Sequence, residues 1–143
     1  MSKTFIVEDI ADFITVSEKR MLALSRQSIQ DVIDDAQLPV AKGGRMRVDT
    51  GFLRASGQPS LSGMPTGPVR GDPNATPGSY DFDAQPTVLA LAQLQFGSIF
   101  YFGWTANYAK YREAYDGFLE GAAQKWAAFV QRNTEKIRQR ISK

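Results

Sequence analysis

The sequence predicts an α+β fold, and three features of the 143-residue chain support that prediction. Long amphipathic patterns at the two ends of the chain each predict a helix. Between them lies an aromatic and β-branched segment that is typical of strands, and a loop rich in proline and glycine precedes it. We therefore expect one domain over residues 1–143. In it, a small antiparallel sheet carries a long hairpin loop at 57–86, and the C-terminal helix packs on the sheet.

The composition is that of a globular protein and excludes several kinds of site. Hydrophobic residues make up 43% of the chain and charged residues 22%, and there is no cysteine and no histidine. Disulfides, thiolate nucleophiles, cysteine/histidine zinc sites and histidine acid–base chemistry are therefore excluded. A carboxylate site for Mg²⁺ or Ca²⁺ would need converging acids, for which Asp34-Asp35 and Asp81/Asp83 are too sparse. We expect no enzymatic activity and no cofactor.

Hydropathy and charge suggest where the protein is made and what it contacts. No apolar run approaches the ~20 residues that a membrane helix needs, and the N-terminus lacks the apolar block of a signal peptide. We expect synthesis in the cytoplasm and no membrane partner. The net charge of +2 is distributed as −3 over residues 1–40, +4 over 41–70, −3 over 71–86 and +4 over 87–143. Such alternation suits a molecule that docks against copies of itself, although it also arises by chance.

The N-terminal helix is predicted from about Glu8 to Gln37. Its apolar residues recur broadly at the i, i+3, i+4 spacing of one helical face. They are Ile10, Phe13, Ile14, Met21, Leu24, Ile29, Val32 and Ile33. Pro39 ends the helix, because the residue before a proline avoids helical angles. Three acids near the C-terminal end of the helix are interpreted as a solvated face, and a patch for docking a partner is the alternative.

A short motif follows this helix, Val48-Asp49-Thr50-Gly51-Phe52-Leu53-Arg54-Ala55-Ser56. Asp49 or Thr50 suits a helix N-cap, because a short side-chain oxygen accepts from free backbone N–H groups. Gly51 permits a tight entry that other residues resist. Leu53 supplies apolar surface, and Arg54 supplies a fork of hydrogen-bond donors. Local chemistry thus predicts a one-turn helix that joins two elements.

A basic bridge connects the helix to this motif and carries Lys42, Arg45 and Arg47. Its Gly43-Gly44 pair does not indicate a phosphate-binding loop, because no Gly-Lys-Ser/Thr follows and no strand precedes it. We interpret the bridge as a hinge. Its three cations, with Arg70 in the following loop, are candidates for contact with a neighbouring subunit or with DNA in a lumen.

The loop from Gly57 to Pro86 holds six of the seven prolines and five of the twelve glycines. The prolines forbid a regular central strand through most of it, although extended pairing around Gln58 to Ser62 is allowed. Arg70-Gly71-Asp72 matches an integrin-ligand tripeptide and is interpreted as a turn. We expect the loop to be mobile in a free subunit and ordered in an assembly. Packing on its own subunit is the alternative.

Two strands are predicted after the loop. Thr87 to Gln95 places apolar residues on alternate faces and begins with Thr-Val, although a helix is also feasible because Leu, Ala and Gln favour it. Ile99 to Thr105 is aromatic and β-branched, which is typical of a strand. A connection through Gly97-Ser98 would pair the two segments as a hairpin with aromatic cross-strand contacts.

A second motif, Tyr108-Ala109-Lys110-Tyr111-Arg112-Glu113, follows the second strand. A helix is predicted after it, from about Gly117 to Ile141. The aromatic residues of this part of the chain are interpreted as sheet core and interface, and a platform that stacks nucleic-acid bases or sugars is the alternative. They are Phe100, Tyr101, Phe102, Trp104, Tyr108, Tyr111 and Tyr115.

The two motifs resemble the signatures of one protein family. The first resembles the (V/D)-T-G-x-L-R-x-S signature of the neck, or tail-completion, family of long-tailed bacteriophages. The second resembles that family's Tyr-Ala-x-x-x-Glu signature, although Ala114 stands where the family usually has glycine. The matching residues are Asp49, Thr50, Gly51, Leu53, Arg54, Ser56, Tyr108, Ala109 and Glu113. The order of the elements is similar along nearly the whole chain.

This resemblance implies a structural virion protein at the head-to-tail junction, with motif residues that shape the subunit and have no catalytic role. Copies would form a ring, of six or twelve subunits, that completes the tail and joins it to the DNA-filled head. The neighbours would be head-completion or connector proteins and tail-terminator or tail-tube proteins, with non-specific DNA contact in the lumen. We also predict that Arg54 and Glu113, the charged members of the motifs, pair within or between subunits.

Two other functions stay open at this point. One is a related tail terminator, which stops polymerisation of the tail tube and has a similar α+β plan. The other is a nucleic-acid-binding module that would use Lys42, Arg45, Arg47 and the basic C-terminal helix. Its binding to duplex DNA would fall steeply with salt, because binding releases counterions.

Overall fold

Helices dominate the two ends of the chain, and a small sheet lies between them. A computed structural model describes the backbone of residues 3–142 and the side chains of residues 10–141. The helices are α1 (Lys3–Ala36), α2 (Phe52–Ala55), α3 (Gln85–Gln93), α4 (Ala109–Asp116), α5 (Phe118–Ala123) and α6 (Trp126–Ser142); the strands are β1 (Gly57–Ser60) and β2 (Tyr101–Trp104). A short 3₁₀ turn at Val40–Lys42 follows α1. The predicted mixed class, with its long N-terminal helix and antiparallel sheet, is confirmed.

α1 is the longest element, with 34 residues, and it measures about 50 Å at 1.5 Å per residue. It begins before the predicted Glu8 and ends beside the predicted Gln37, whose N–H still donates to Ile33 O at 2.9 Å. Its C-terminal part packs against α5 and α6 and buries Ile33 and Ala36. The apolar periodicity of the sequence therefore located this helix correctly.

The sheet consists of β1 and β2, which pair antiparallel with Gly57 opposite Trp104 and Ser60 opposite Tyr101. The strand predicted at Ile99 to Thr105 is confirmed, although its partner is different from the predicted one. That partner is the Gln58 to Ser62 region, for which the sequence allowed extended pairing. The rest of the predicted loop, residues 61–84, and α3 lie between the two strands in the chain.

The strand predicted at Thr87 to Gln95, with its hairpin through Gly97-Ser98, is wrong. This segment is the helix α3, which has Pro86 in its first turn, where the fixed φ of proline suits a helix. Asp83 supports the same start, because its Oδ1 accepts from Gln85 N at 3.0 Å. Thr87 and Leu91 are the buried pair, and their four-residue separation places them on one helical face.

The helix predicted from Gly117 to Ile141 is divided. Gly117, at φ +61°, ends α4 and starts α5, and a second break at Gln124 and Lys125 separates α5 from α6. α6 lies along α1, and the ring of Phe118 in α5 contacts the sheet at Trp104, with 5.0 Å between ring centroids. The closing segment thus reaches the sheet through α5 and covers α1 through α6.

The main buried cluster lies where the end of α1, the bridge, α2, α5 and the segment after β2 meet. Its members are Ala36, Met46, Leu53, Ala106, Phe118 and Ala122. Leu53 belongs to the first motif, and Ala106 lies two residues before the second. Burying these side chains together therefore brings the two motifs side by side.

Candidate functional site

Gly51 is held in a conformation and a space that only glycine fits. It has φ +89° and is the N-cap of α2. A Cβ at this position would lie 2.2 Å from Tyr80 O. The prediction that Asp49 or Thr50 is the N-cap is wrong by one or two residues, because the left-handed entry needs glycine at the cap itself.

Asp49 and Thr50 instead bind the 57–86 loop. Their carbonyl oxygens accept from Gly78 N and Tyr80 N, both at 2.8 Å. The Oγ1 of Thr50 also accepts from Phe52 N at 3.2 Å, so it satisfies one of the free N–H groups that open α2. The motif therefore supports the loop as well as the helix.

Tyr108 connects the two motifs directly. Its Oη accepts a hydrogen bond from Leu53 N at 3.1 Å, across 55 positions of sequence. The ring also lies near that of Phe52, with centroids 6.3 Å apart. Burial raises the pKa of Tyr108 above its usual value, so the phenol is neutral when it accepts this bond. Ala109, the next residue, packs on the main buried cluster.

Ser56 closes α2 and connects it to the end of β2. Its Oγ donates to Leu53 O at 2.7 Å. Its carbonyl oxygen accepts from both the N–H and the Oγ1 of Thr105, each at 3.3 Å. Because Ser56 is itself buried, these bonds satisfy polar groups that would otherwise be costly.

Gln37 is the connecting residue that sequence reasoning missed. It is 2% exposed and exchanges two hydrogen bonds with Arg54: Arg54 Nε donates to Gln37 O at 2.9 Å, and Gln37 Nε2 donates to Arg54 O at 3.0 Å. Trp104 Nε1 donates to Gln37 Oε1 at 2.8 Å. A polar residue four positions after the buried Ile33, at the end of an apolar face, was the available signal.

The predicted Arg54–Glu113 pair does not form within the subunit. Arg54 bonds Gln37 and lies over the ring of Phe82, 5.4 Å from its centroid. Glu113 accepts from Leu119 N at 2.8 Å and from Glu120 N at 3.2 Å. The carboxylate thus satisfies free N–H groups in the first turn of α5. Pairing between subunits stays a prediction, to be tested by a double-mutant cycle on the assembled form.

The 57–86 loop lies on its own subunit, as the alternative interpretation had it. Val69 N donates to Thr105 O at 2.6 Å, and Asn107 N donates to Val69 O at 2.7 Å. The ring of Tyr80 meets that of Phe52 edge-on, with centroids 5.1 Å apart. The prediction that the loop becomes ordered only on assembly stays a prediction. Slow hydrogen exchange across it in a verified monomer would contradict that prediction.

The four basic candidates are not brought together as one patch. Arg47 Nε lies 3.6 Å from Asp116 Oδ1, and the guanidinium of Arg45 lies so close to Gly121 that a Cβ there would be 2.4 Å from Nη1. Lys42 is in the 3₁₀ turn. Arg70 lines a different hollow, beside the first motif. Two of the four cations are therefore engaged with α4 and α5.

The aromatic residues also divide into two groups. Trp104 contacts both Phe102 and Phe118 edge-on, at 5.1 and 5.0 Å between centroids. Tyr111 and Tyr115 on α4 are 62% and 83% exposed. The strand residues are thus part of the packed sheet, as interpreted, whereas the two tyrosines on α4 are available to a partner.

The exposed surface also includes a row of apolar side chains near the start of α1. Ile10, Phe13, Ile14 and Met21 are all at least 49% exposed, and Phe13 is 72% exposed. Their separations of three, four and seven residues place them on one side of the helix. We name this row the α1 stripe. The C-terminal part of the same helix packs against α5 and α6.

Comparison with family models, with curated proteins and with solved structures found no match for this chain. Within residues 3–142, no helix is both long and apolar enough to cross a membrane. The described side chains include no group of three or more acids placed to hold a metal ion. The hydrogen bonds of the motif residues described above join α2 to the 57–86 loop, to the end of α1 and to the segment after β2.

Proposed function

We propose that this chain is a structural subunit that assembles with copies of itself into a ring at the head-to-tail junction of a bacteriophage particle. The observation that carries the assembly part is the α1 stripe, an ordered helical surface that leaves several large apolar side chains in water. Rows of this kind mark protein–protein contacts. The setting, the neck of a phage, rests on the resemblance of the two motifs.

The arrangement of the motif residues supports a shaping role over a catalytic one. Thr50, Ser56, Tyr108 and Glu113 each bond a backbone N–H or C=O group of a neighbouring segment. A nucleophile or general base would instead need a free polar atom beside a second reactive group. A subunit that must repeat identically around a ring would need such a rigid centre.

The experiment has two arms. Native mass spectrometry and analytical ultracentrifugation of the purified full chain are expected to show a closed oligomer of six or twelve copies, with its population rising with protein concentration. A density map of the intact particle is expected to place that ring between head and tail. The position of the ring along the neck would distinguish a completion protein from a terminator that caps the tail tube.

Two results would contradict the proposal. One is a chain that stays monomeric at high concentration and is absent from purified particles. The other is monomeric binding to duplex DNA with a steep dependence on salt, which would favour a nucleic-acid-binding module.

A further inference from the structure

A cleft between α1, α3 and α6, which we name the α1–α3–α6 pocket, has a volume of about 470 Å³. Its apolar part is formed by Val88, Leu91 and Ile137, and three cations also line it, Arg26, Lys136 and Arg140. No acid is among the described residues that line it, and no described carboxylate lies within 4.0 Å of these cations. The pocket therefore combines apolar surface with cations that no described carboxylate pairs directly.

Two buried polar atoms in this pocket have no partner among the described residues. One is Nε of Arg26, whose Nη2 is fixed by two carbonyl oxygens at the end of α3, at 2.8 and 3.0 Å. The other is Oδ1 of Asn133, a residue that is 2% exposed and whose Nδ2 donates to Ser28 and Asp31. Leaving such atoms unpaired is unfavourable, because they lose their hydrogen bonds to water on burial. Both atoms are almost completely inaccessible to solvent, so they belong to the wall of the pocket and not to its accessible surface.

The chemistry of the pocket favours a carboxylate carried on an apolar segment. A carboxylate can accept from Lys136 or Arg140, and the adjoining apolar side chain can cover Val88 and Leu91. Duplex DNA fits less well, because its phosphates offer no apolar group and its backbone is recognised along extended surfaces. An acidic, apolar peptide segment is therefore the best-matched ligand.

We propose that this ligand is the α1 stripe of a second copy of the chain, with Asp12 and Phe13 entering the α1–α3–α6 pocket. Phe13 is largely exposed, and residues 10–18 of the stripe include two acids, Asp12 and Glu18, and no cation. The pocket is lined by the cations Arg26, Lys136 and Arg140. This contact rests on the proposed function and specifies the surfaces through which subunits would meet.

A second copy is required because Asp12 and Phe13 cannot reach the pocket of their own subunit. Asp12 and Arg26 lie on the same continuous helix, about 20 Å apart along its axis. The two surfaces are also different from each other. A contact between different surfaces is head-to-tail, and it closes into a ring when the rotation between subunits allows.

Binding of a labelled synthetic peptide of residues 4–20 to the full-length chain tests this contact. Fluorescence anisotropy at protein concentrations below self-assembly is expected to show saturable binding. Lys136→Glu and Arg140→Glu in the protein, or Asp12→Lys in the peptide, are each expected to weaken it at least tenfold. Combining the Asp12→Lys peptide with the Lys136→Glu protein is expected to recover affinity. Lys110→Glu, an exposed cation on α4, is the matched charge control and is expected to change nothing.

The outcomes separate this contact from the proposed function. If the wild-type chain forms a closed oligomer that Lys136→Glu and Arg140→Glu leave intact, and the peptide does not bind, the contact is overturned while the ring proposal stands. If the peptide binds at the pocket but the chain never forms a closed oligomer, the contact stands and the ring proposal fails. Displacement of the labelled peptide by a tighter-binding DNA duplex would also overturn the contact.

Discussion

The two ends of α1 have similar apolar patterns and very different surroundings. Near the C-terminal end, Ile33 is 5% exposed and Gln37 joins the helix to α2 and β2. Near the N-terminal end, Phe13 is 72% exposed. Since the sequence pattern is the same, the difference comes from the rest of the subunit, which covers one end only. An apolar face in a sequence therefore predicts burial without saying which molecule provides the cover.

The largest expected effect on stability comes from a substitution at the packed end of α1, compared with one at the exposed end. Ile33→Ala removes buried atoms and leaves a cavity, so we expect a loss of about 2–5 kcal/mol in the free energy of unfolding. Phe13→Ala is expected to change it by no more than about 0.5 kcal/mol in the monomer, because the side chain is in water. Denaturant unfolding of dilute protein measures both. Similar losses for the two variants would contradict the contrast.

The next largest effect is expected at Gly51, where the first motif lies close to Tyr80. Gly51 and Gly43 have nearly the same φ, +89° and +90°, but a Cβ at Gly43 would meet nothing within 4 Å. Valine at either site carries about 1–3 kcal/mol of backbone strain. Gly51→Val is expected to cost more, because its Cβ would also displace Tyr80 and the loop. Equal melting temperatures for Gly51→Val and Gly43→Val would show that the close approach is unimportant.

Tyr108→Phe is expected to have a smaller effect, about 1–3 kcal/mol, because it leaves the Leu53 N–H without its acceptor. The raised pKa of Tyr108 gives a second readout. Its neutral form is favoured in the folded state, so its contribution is fully present below the ordinary tyrosine pKa and is lost as pH rises through the raised one. Above pH ~10, wild-type stability should therefore fall towards that of Tyr108→Phe. A constant difference between the two proteins would contradict this linkage.

The smallest effect concerns the packing of α6 on α1. Burial opposes ionisation of Asp31, but hydrogen bonds from Asn133, Gln27 and Arg132 outweigh it and lower its pKa. Its contribution to stability is present above the ordinary carboxyl pKa and is lost as pH falls through the lowered one. Thermal melts of wild type and Asp31→Asn should therefore converge below pH ~4. Asp34→Asn, whose partner Gln30 is on the same helix, is the matched control for the substitution itself.

Local sequence patterns predicted the helices and strands that depend mainly on residues close together in the chain. The periodicity of α1 and the aromatic segment of β2 are properties of adjacent residues, and both were found. The segment of α3 was mistaken for a strand, because alternating apolar residues fit either period and Pro86 was not interpreted as a helix start. The pairing of Gly57 with Trp104 depends on a tertiary contact that no local pattern contains.

The two motifs lie side by side in the structure, but the hydrogen bonds of their residues were not predicted from the sequence. The motif positions do cluster, yet Arg54 and Glu113 were paired on charge alone. Glu113 instead accepts from backbone N–H groups at the start of α5. Every residue except proline has such a group, so residue type does not show which of them will bind a side chain. The role of Gln37 was missed for the same reason, because hydrogen bonds to the backbone depend on position and not on residue type.

The attachment of α1 through Gln37 also has a mechanical consequence. α1 is a continuous helix of about 50 Å that is held at its base and bare near its tip. A sideways force on the tip would act as torque on the packed part of α1, which α6 holds along its length. The bonds of Gln37 to Arg54 and Trp104 would carry part of that load into α2 and the sheet. If a neighbouring molecule pushed against the tip, α1 would act as a lever. The residues that bond Gln37 would then rotate with its base.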